Sequence, residues 1–171
     1  MRLSEGVEWG IHCTISLAGL PEGATLPTKA LAENYGLSET YLAKHLQALA
    51  NAKILESVPG PKGGYRLARP AEQITLLDIV EAIEGRERVF RCTEIRQRVP
   101  VQLPDSLYRM PCEVHVAMLR ADRAWREALR SQTVAEIIAN YKQRVAAQLR
   151  QPGEQWIAER IRHAPEKKER S

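Results

Sequence analysis

The sequence predicts a mainly α-helical protein with a small β-hairpin, arranged as a winged helix-turn-helix followed by a long C-terminal dimerisation helix. A short helical segment and a longer one meet at Gly36, which is the pattern of a helix-turn-helix. Two short apolar strands around a Gly-rich loop follow directly and have the pattern of a wing. The third observation is a long amphipathic helix, whose apolar face would pair with a second copy.

Apolar spacing and helix-terminating residues place the first three helices. Apolar residues recur at helical intervals over residues 4–20, and a Pro-Glu-Gly segment stops them. The second helix is predicted over 29–34 and ends at Gly36 as a C-cap. Ser38 follows as the predicted N-cap of the third helix, over 39–52.

The wing and one further helix come next. Two strands are predicted at 54–58 and 65–67, on either side of a loop that contains Pro, Gly and Lys. Thr75 is the predicted N-cap of a helix over 76–83, and Gly85 ends it.

The remainder divides into a loop, helices and a polar tail. Residues 86–111 contain three prolines and no periodicity, and an irregular loop of this length is normally functional. The long helix is predicted from Cys112 to about Arg130, and Thr133 begins another. The mixed charges at 166–170 are typical of a solvated tail. The predicted segments are a winged-helix DNA-binding domain at 1–85, the irregular loop at 86–111, dimerisation helices at 112–145 and a polar extension at 146–171.

Composition and charge narrow the function classes. A length of 171 residues suffices for one domain with an appendage and excludes a large multidomain enzyme. The net charge of +4 permits a polyanion as partner. One Phe and scattered Tyr and Trp residues offer no stacking platform for single-stranded bases, so duplex DNA is favoured. The expected location is the cytoplasm, because neither a membrane span nor a signal-peptide core is recognisable.

Side chains near the start of the third helix are candidates for reading DNA, because this helix enters the major groove in helix-turn-helix proteins. Lys44 is expected at a phosphate, and Gln47 at an adenine or a phosphate. Tyr41 and His45 are equally compatible with partial burial in the core. The candidates on this helix are Ser38, Glu39, Thr40, Tyr41, Lys44, His45 and Gln47.

The wing supplies a second group of predicted DNA contacts. Lys62 and Arg66 are expected to meet the DNA backbone or to enter the minor groove. Gly63 and Gly64 would permit a close approach, because neither carries a side chain.

A second constellation has the chemistry of metal ligands. Glu8 and His12 are four residues apart on the first helix, so both project from one face and can chelate one ion. The alternative is a hydrogen-bonded surface pair, with Trp9 beside it in the core. Cys92 and Cys112 bracket the irregular loop, and two thiolates, an imidazole and a carboxylate would suffice for a small metal centre.

The other sulfur and imidazole groups are weaker candidates. Cys13 lies about 140° around the first helix from Glu8 and is expected to be a buried, inert thiol. His115 follows Cys112 by one helical turn and is a reserve ligand. Three cysteines without a CxxC pair indicate ligands or thiols rather than a disulfide framework.

The chain resembles the Rrf-type family of bacterial winged-helix regulators, which includes iron–sulfur, nitric-oxide and redox-sensing repressors. The resemblance covers about residues 1–145. Its most specific part is a Gly-Gly-Tyr wing followed by an Ile-Thr-Leu-Leu-Asp helix start. The segments that carry it are 3–12, 42–49, 60–65, 74–80 and 92–96.

The sequence lacks the three closely spaced loop cysteines that are usual in that family. Within the family it most resembles the redox-sensing, RsrR-like subgroup. The resemblance implies a [2Fe-2S] cluster held by Cys92 and Cys112 together with Glu8 and His12. It also implies that the glutamate and the histidine reach the cluster bound by the other subunit's cysteines. Trp9 is implied as the residue that moves on redox change.

The resulting expectation is a non-enzymatic homodimeric transcription regulator, a repressor or dual regulator, without a membrane partner. It would bind a near-palindromic site in double-stranded DNA and sense redox state through the cluster. Two cluster-free regulators stay open: one that binds zinc with the same four ligands, and one that uses Cys92 and Cys112 as plain thiols. A cysteine-dependent enzyme is the weakest alternative, since no nucleophile motif accompanies the thiols.

Overall fold

The computed structural model describes residues 2–101 and 104–163, so the charged run at 166–170 lies outside the described residues. The elements in chain order are α1 (Glu5–Ala18), β1 (Ala24–Thr25), α2 (Thr28–Tyr35), α3 (Glu39–Asn51), β2 (Leu55–Val58), β3 (Gly64–Leu67), α4 (Leu76–Glu84), α5 (Asp105–Tyr108), α6 (Glu113–Arg130), α7 (Val134–Arg144), α8 (Ala147–Ala158) and β4 (Arg162–His163). Short 3₁₀ helices lie at Ala71–Gln73 and Ile95–Arg98.

The helix-turn-helix forms where the sequence predicts it. Gly36 ends α2 in the left-handed region with φ of 64°, a conformation that glycine adopts without steric cost. The Leu37 N–H then donates to the Ala32 carbonyl at 2.9 Å and closes the turn. Ser38 occupies the N-cap position of α3, but its side chain makes no capping hydrogen bond.

The wing is the antiparallel pair β2 and β3, in a register that places Glu56 opposite Arg66. The buried Tyr65 exchanges two backbone hydrogen bonds with Leu26, and these attach the wing to the segment before α2. Packing within the protein explains why Gly63 and Gly64 carry no side chain. A Cβ at Gly63 would lie 2.0 Å from the Val58 carbonyl oxygen, and one at Gly64 would lie 2.3 Å from that of Leu26.

The core lies between α1, α3 and α4. Leu42, Leu46 and Leu49 of α3 are fully buried, and each contributes roughly 2 kcal/mol of hydrophobic stabilisation. They form one cluster with Leu17 of α1 and Ile79 of α4. This cluster holds α3 with its opposite face toward solvent, as a DNA-reading helix requires.

The N-terminal ends of α4 and α7 lie side by side, and each has a capping box. Thr75 caps α4 with Asp78, and Thr133 caps α7 with Glu136, each through reciprocal hydrogen bonds. The fully buried Val134 donates its backbone N–H to the Ile74 carbonyl at 2.8 Å. The sequence groups α7 with α6, whereas the structure packs the start of α7 into the winged-helix core.

The long helix α6 contains no buried residue. It is attached to α4 by Arg126, whose guanidinium contacts the Glu81 carboxylate at 2.7 Å and the Asp122 carboxylate at 3.0 Å. Val114 is 63% exposed and Met118 is 38% exposed. The predicted apolar stripe on α6 therefore has little cover within one chain.

The segment after residue 145 is more ordered than its polar sequence indicates. It forms α8 despite the internal Pro152, and Ile157 and Ile161 pack against the core. The chain then adds β4 antiparallel to β1. None of the helices among the described residues is long and apolar enough to cross a bilayer.

Candidate nucleic-acid interface and sensing pocket

The solvent face of α3 presents most of the predicted DNA-reading side chains. Tyr41 is 56% exposed, and the Lys44 Nζ lies 5.5 Å from the centroid of its ring. Gln47 donates from Nε2 to Asn51 Oδ1 at 3.0 Å, which orients its amide along the helix. Exposed residues of this predicted set are Ser38, Glu39, Thr40, Tyr41, Lys44 and Gln47. Their contacts with DNA stay a prediction.

The wing cations differ in how they are held. Lys62 is exposed at the loop, as a phosphate contact requires. The Arg66 Nε donates to Glu56 Oε2 at 2.8 Å across the two strands. That hydrogen bond raises the pKa of Arg66, and a DNA contact by Arg66 would have to share its guanidinium with Glu56.

Trp9 links α1 to the DNA-reading helix. Its ring makes edge-to-face contacts with Tyr41 at 5.8 Å and with His45 at 5.7 Å between centroids. Such aromatic pairs contribute about 0.5–1.5 kcal/mol beyond their buried area. Both partners lie on α3, so a movement of Trp9 would displace the side chains that line its first turns.

His12 is connected to the other helix of the helix-turn-helix. Its ring lies 5.6 Å from the ring of Tyr35, at the end of α2. The Tyr35 hydroxyl donates to the His12 carbonyl oxygen at 3.1 Å and is 2.7 Å from the Ser16 hydroxyl. Burial raises the pKa of the Tyr35 hydroxyl. Sequence patterns missed Tyr35, because it lies on another helix.

Glu8 and His12 line one side of a surface pocket of about 390 Å³ at the N-terminus of α1. Both side chains are exposed. No hydrogen bond or ion pair joins the two in the part of the chain that the structure describes. The carboxylate and the imidazole are therefore available to a ligand, in contrast to the surface-pair alternative.

Cys92 and Cys112 line a different pocket, of about 710 Å³, formed by the irregular loop and the start of α6. Both thiols are free and partly exposed. His115 lines the same pocket, and its Nδ1 is buried without a hydrogen-bond partner among the described residues. The two predicted cysteine ligands and the reserve ligand therefore line the same pocket.

Arg96 organises the loop beside these cysteines, a role that periodicity could not reveal. Its Nη2 donates to Glu94 Oε2 at 3.1 Å and to the Met110 carbonyl oxygen at 3.0 Å, which joins the two ends of the loop. The hydrogen bond from Arg96 lowers the pKa of Glu94. The pKa of Arg96 is raised, chiefly by its hydrogen bond to Glu94.

The four predicted ligands are split between the two pockets. Within residues 2–101 and 104–163, no three His, Cys, Asp or Glu side chains gather as a metal site. Cys13, the third thiol, is fully buried, and burial raises its pKa to about 12. This agrees with the predicted buried, inert thiol.

A family profile described as "Rrf2: Iron-dependent Transcriptional regulator" matches residues 3–140. The chain belongs to the Rrf2 family. Protein aau3 of Rhizobium meliloti (strain 1021) is 36% identical over 138 residues, which are 81% of this chain and 85% of that protein. YwgB of Bacillus subtilis (strain 168), whose name describes an HTH-type transcriptional regulator, is 28% identical over the same share of each chain.

Solved structures agree with this Rrf2 assignment. CymR (YrzC), described as the global cysteine regulator of B. subtilis, is 25% identical, with a TM-score of 0.61 over 82% of this chain and 98% of that one. T. potens IscR shares the fold at 24% identity, with a TM-score of 0.62 over 86% of this chain and 93% of that one. The winged-helix fold is therefore confirmed. The chain is an Rrf2-family helix-turn-helix transcriptional regulator, consistent with a non-enzymatic role.

Proposed function

We propose that this Rrf2 protein is a homodimeric repressor or dual regulator that senses redox state through a [2Fe-2S] cluster shared between its two subunits. The observation that carries the proposal is the separation of the predicted ligands into two pockets. Cys92 and Cys112 lie in one pocket, and Glu8 and His12 lie in the other. A site made of these four groups needs one pocket from each subunit.

The residues fit such a cluster chemically. Two thiolates, an imidazole and a carboxylate are donors that iron accepts, and both pockets are open enough for a partner surface to approach. When bound, the cluster would supply one-electron redox chemistry. The chain's own part would be to hold two sulfurs in the loop that Arg96 joins, and to offer the Glu8 carboxylate and the His12 imidazole from α1.

The uncovered stripe on α6 supports the homodimer. In one chain this helix has no buried residue, although it carries Val114, Met118 and Trp125 on one side. Pairing two such helices would remove these side chains from water. A dimer would also present two recognition helices, and these read half-sites about one helical turn apart, roughly 10 base pairs.

The contacts of α1 support a route from the cluster to DNA. Glu8 and His12 flank Trp9, which packs against Tyr41 and His45 of α3. A movement of Glu8 and His12 would therefore displace Trp9, and Trp9 would displace the rings of α3 that it contacts. Differential packing of this kind gives a switch two states with different affinities for DNA.

The test is anaerobic purification, followed by a visible spectrum and assays of iron and sulfide. If the protein holds a [2Fe-2S] cluster, we expect it to be coloured and to contain equal amounts of iron and sulfide. Cys92→Ala and Cys112→Ala should lose the iron, whereas the matched control Cys13→Ala should keep it, because that thiol is buried away from both pockets. Iron loss in the Cys13 variant alone would show that the ligands are assigned wrongly.

A second candidate is a thiol-based regulator without a cluster. It is favoured by two free, partly exposed cysteines in one pocket and by the likeness to CymR, described as a cysteine regulator. A colourless, metal-free protein whose DNA affinity responds to thiol oxidation would support it. A colourless protein with stoichiometric zinc would instead indicate a zinc regulator, with His115 available beside the cysteines.

A further inference from the structure

The end of the described chain folds back onto the wing. β4 pairs with β1 in an antiparallel register that places Arg162 opposite Thr25 and His163 opposite Ala24. These residues lie beyond the segment 3–140 that the Rrf2 profile matches. The contact is therefore a property of this chain's own C-terminal segment.

β4 reaches the wing loop directly through Arg162 and indirectly through Thr25 of β1. The Arg162 Nη1 donates to the Pro61 carbonyl oxygen at 2.9 Å. The Thr25 hydroxyl lies 3.4 Å from the carbonyl oxygens of both Lys62 and Arg162, so these two backbones converge on one side chain. Lys62 and Arg162 are both exposed. Two cationic residues from distant parts of the sequence thus have neighbouring backbones at the wing loop.

We infer that β4 is part of the DNA-binding surface and that Arg162 binds a phosphate of the duplex beside Lys62. A guanidinium has more N–H donors than the bond to Pro61 uses, and its fork matches phosphate oxygens. The acidic residue of the wing strands, Glu56, is paired with Arg66, which offsets its charge. The inference rests on the proposed DNA-binding function and is independent of the iron–sulfur cluster.

The test uses the full-length protein and a duplex of mixed sequence, so that no operator is required. Fluorescence anisotropy over a salt series compares wild type with Arg162→Gln and Arg162→Lys. Arg162→Gln keeps a donor for the Pro61 carbonyl but loses the charge. It is expected to bind about threefold to tenfold more weakly and to lose about 0.9 from the slope of log K against log salt. Arg162→Lys should retain the slope.

Arg160→Gln is the matched control, because it removes the same charge two residues earlier. Its guanidinium stacks over Trp156 at 3.8 Å from the ring centroid and donates to the Trp156 carbonyl oxygen. This control should keep the wild-type slope. An unchanged slope in Arg162→Gln would overturn the phosphate contact, even if affinity fell, because Arg162 would then only brace the wing. Wild-type protein that binds no duplex would overturn the DNA-binding function as well.

Discussion

Two glycines on α1 set how closely this helix approaches its neighbours. A Cβ at Gly6 would lie 2.3 Å from the ring of His45, and one at Gly10 would lie 2.5 Å from the Cδ1 of Ile83. No side chain larger than hydrogen fits at Gly6 unless the His45 ring moves. That ring also contacts Trp9 and Tyr41, so its position affects the whole aromatic group between α1 and α3.

Gly6→Ala is expected to lower the free energy of unfolding by about 1–3 kcal/mol, because the added methyl overpacks a rigid ring. Urea unfolding followed by circular dichroism measures the change. Gly19→Ala is the control, since its Cβ would meet nothing closer than 3.6 Å. Equal effects of the two substitutions would show that the contact with His45 is not the cause.

Cys13 gives the protein a predictable alkaline weakness. Burial raises the pKa of its thiol from 9.0 to about 12. Between these values the unfolded chain releases the thiol proton while the folded chain retains it, so the unfolded state binds fewer protons. The contribution of Cys13 to the free energy of unfolding is therefore fully present below pH 9 and is lost as pH rises toward 12.

Between about pH 8 and pH 10 we expect Cys13 to account for about 1 kcal/mol of lost stability. The measurement is urea unfolding at both pH values. In Cys13→Ala this loss of about 1 kcal/mol should disappear. The control is Cys112→Ala, which removes a partly exposed thiol and should keep the loss. An identical pH dependence in Cys13→Ala and wild type would contradict the assignment.

In the proposed homodimer, α6 is the element that would depend most on a second copy of the chain. An ion pair from Arg126 to Glu81 attaches α6 to the rest of the subunit, whereas the exposed side chains of α6 include Val114 and Met118. An apolar stripe that is solvated in the monomer and covered in the dimer couples folding of this region to protein concentration.

Met118→Glu is expected to shift the protein from dimer to monomer, because it would place a charge inside the paired stripe. Analytical ultracentrifugation at micromolar concentration measures the shift. Arg123→Glu introduces glutamate on the opposite face of α6, about 180° from Val114, and should leave the dimer intact. Dimers that persist in Met118→Glu would place the interface elsewhere.

Elements with periodic patterns could be predicted from the sequence, and those made by long-range contacts could not. The helices α1 to α4 and α6 follow from apolar spacing and caps, and Gly36 and Thr75 act as predicted. The strands β1 and β4 are two residues each and lie far apart in sequence, so no local alternation marks them. The sequence did not indicate α8, since it contains Pro152 and proline in a helix interior normally breaks the helix.

The candidate site shows the same division. The resemblance supplied Glu8, His12, Cys92 and Cys112 as ligands, and the structure adds which of them share a pocket. A residue that contacts a predicted site from a different helix or strand leaves no pattern in the sequence around that site. Examples are Tyr35 against His12, Arg96 across the cysteine loop and Arg162 against the wing.

For the whole molecule, α1 is the element through which a signal would travel. It carries Glu8 and His12 on one side and contacts both helices of the helix-turn-helix through Trp9 and His12. The dimer would then place each α1 against the other subunit's cysteine loop. Cluster chemistry and DNA geometry would thus be coupled through one rigid helix in each subunit.

Trp9→Ala is expected to change the ratio of DNA affinities between the oxidised and reduced protein by about twofold to thirtyfold, the range for coupling residues. Trp9→Phe keeps an aromatic ring against Tyr41 and His45 and should retain most of the difference. Affinities are measured in both states at fixed salt. Equal affinities in both states of wild type would refute redox sensing, and a full difference in Trp9→Ala would exclude Trp9 from the route.

The three tryptophans are distributed so that each reports on a different part of the protein. Trp9 lies between α1 and α3, and Trp125 lies on α6. Trp156 lies on α8, under the guanidinium of Arg160. Intrinsic fluorescence of single-tryptophan variants would therefore separate three events without any attached dye. Redox switching should alter the emission of Trp9, subunit exchange that of Trp125, and detachment of the C-terminal helix that of Trp156.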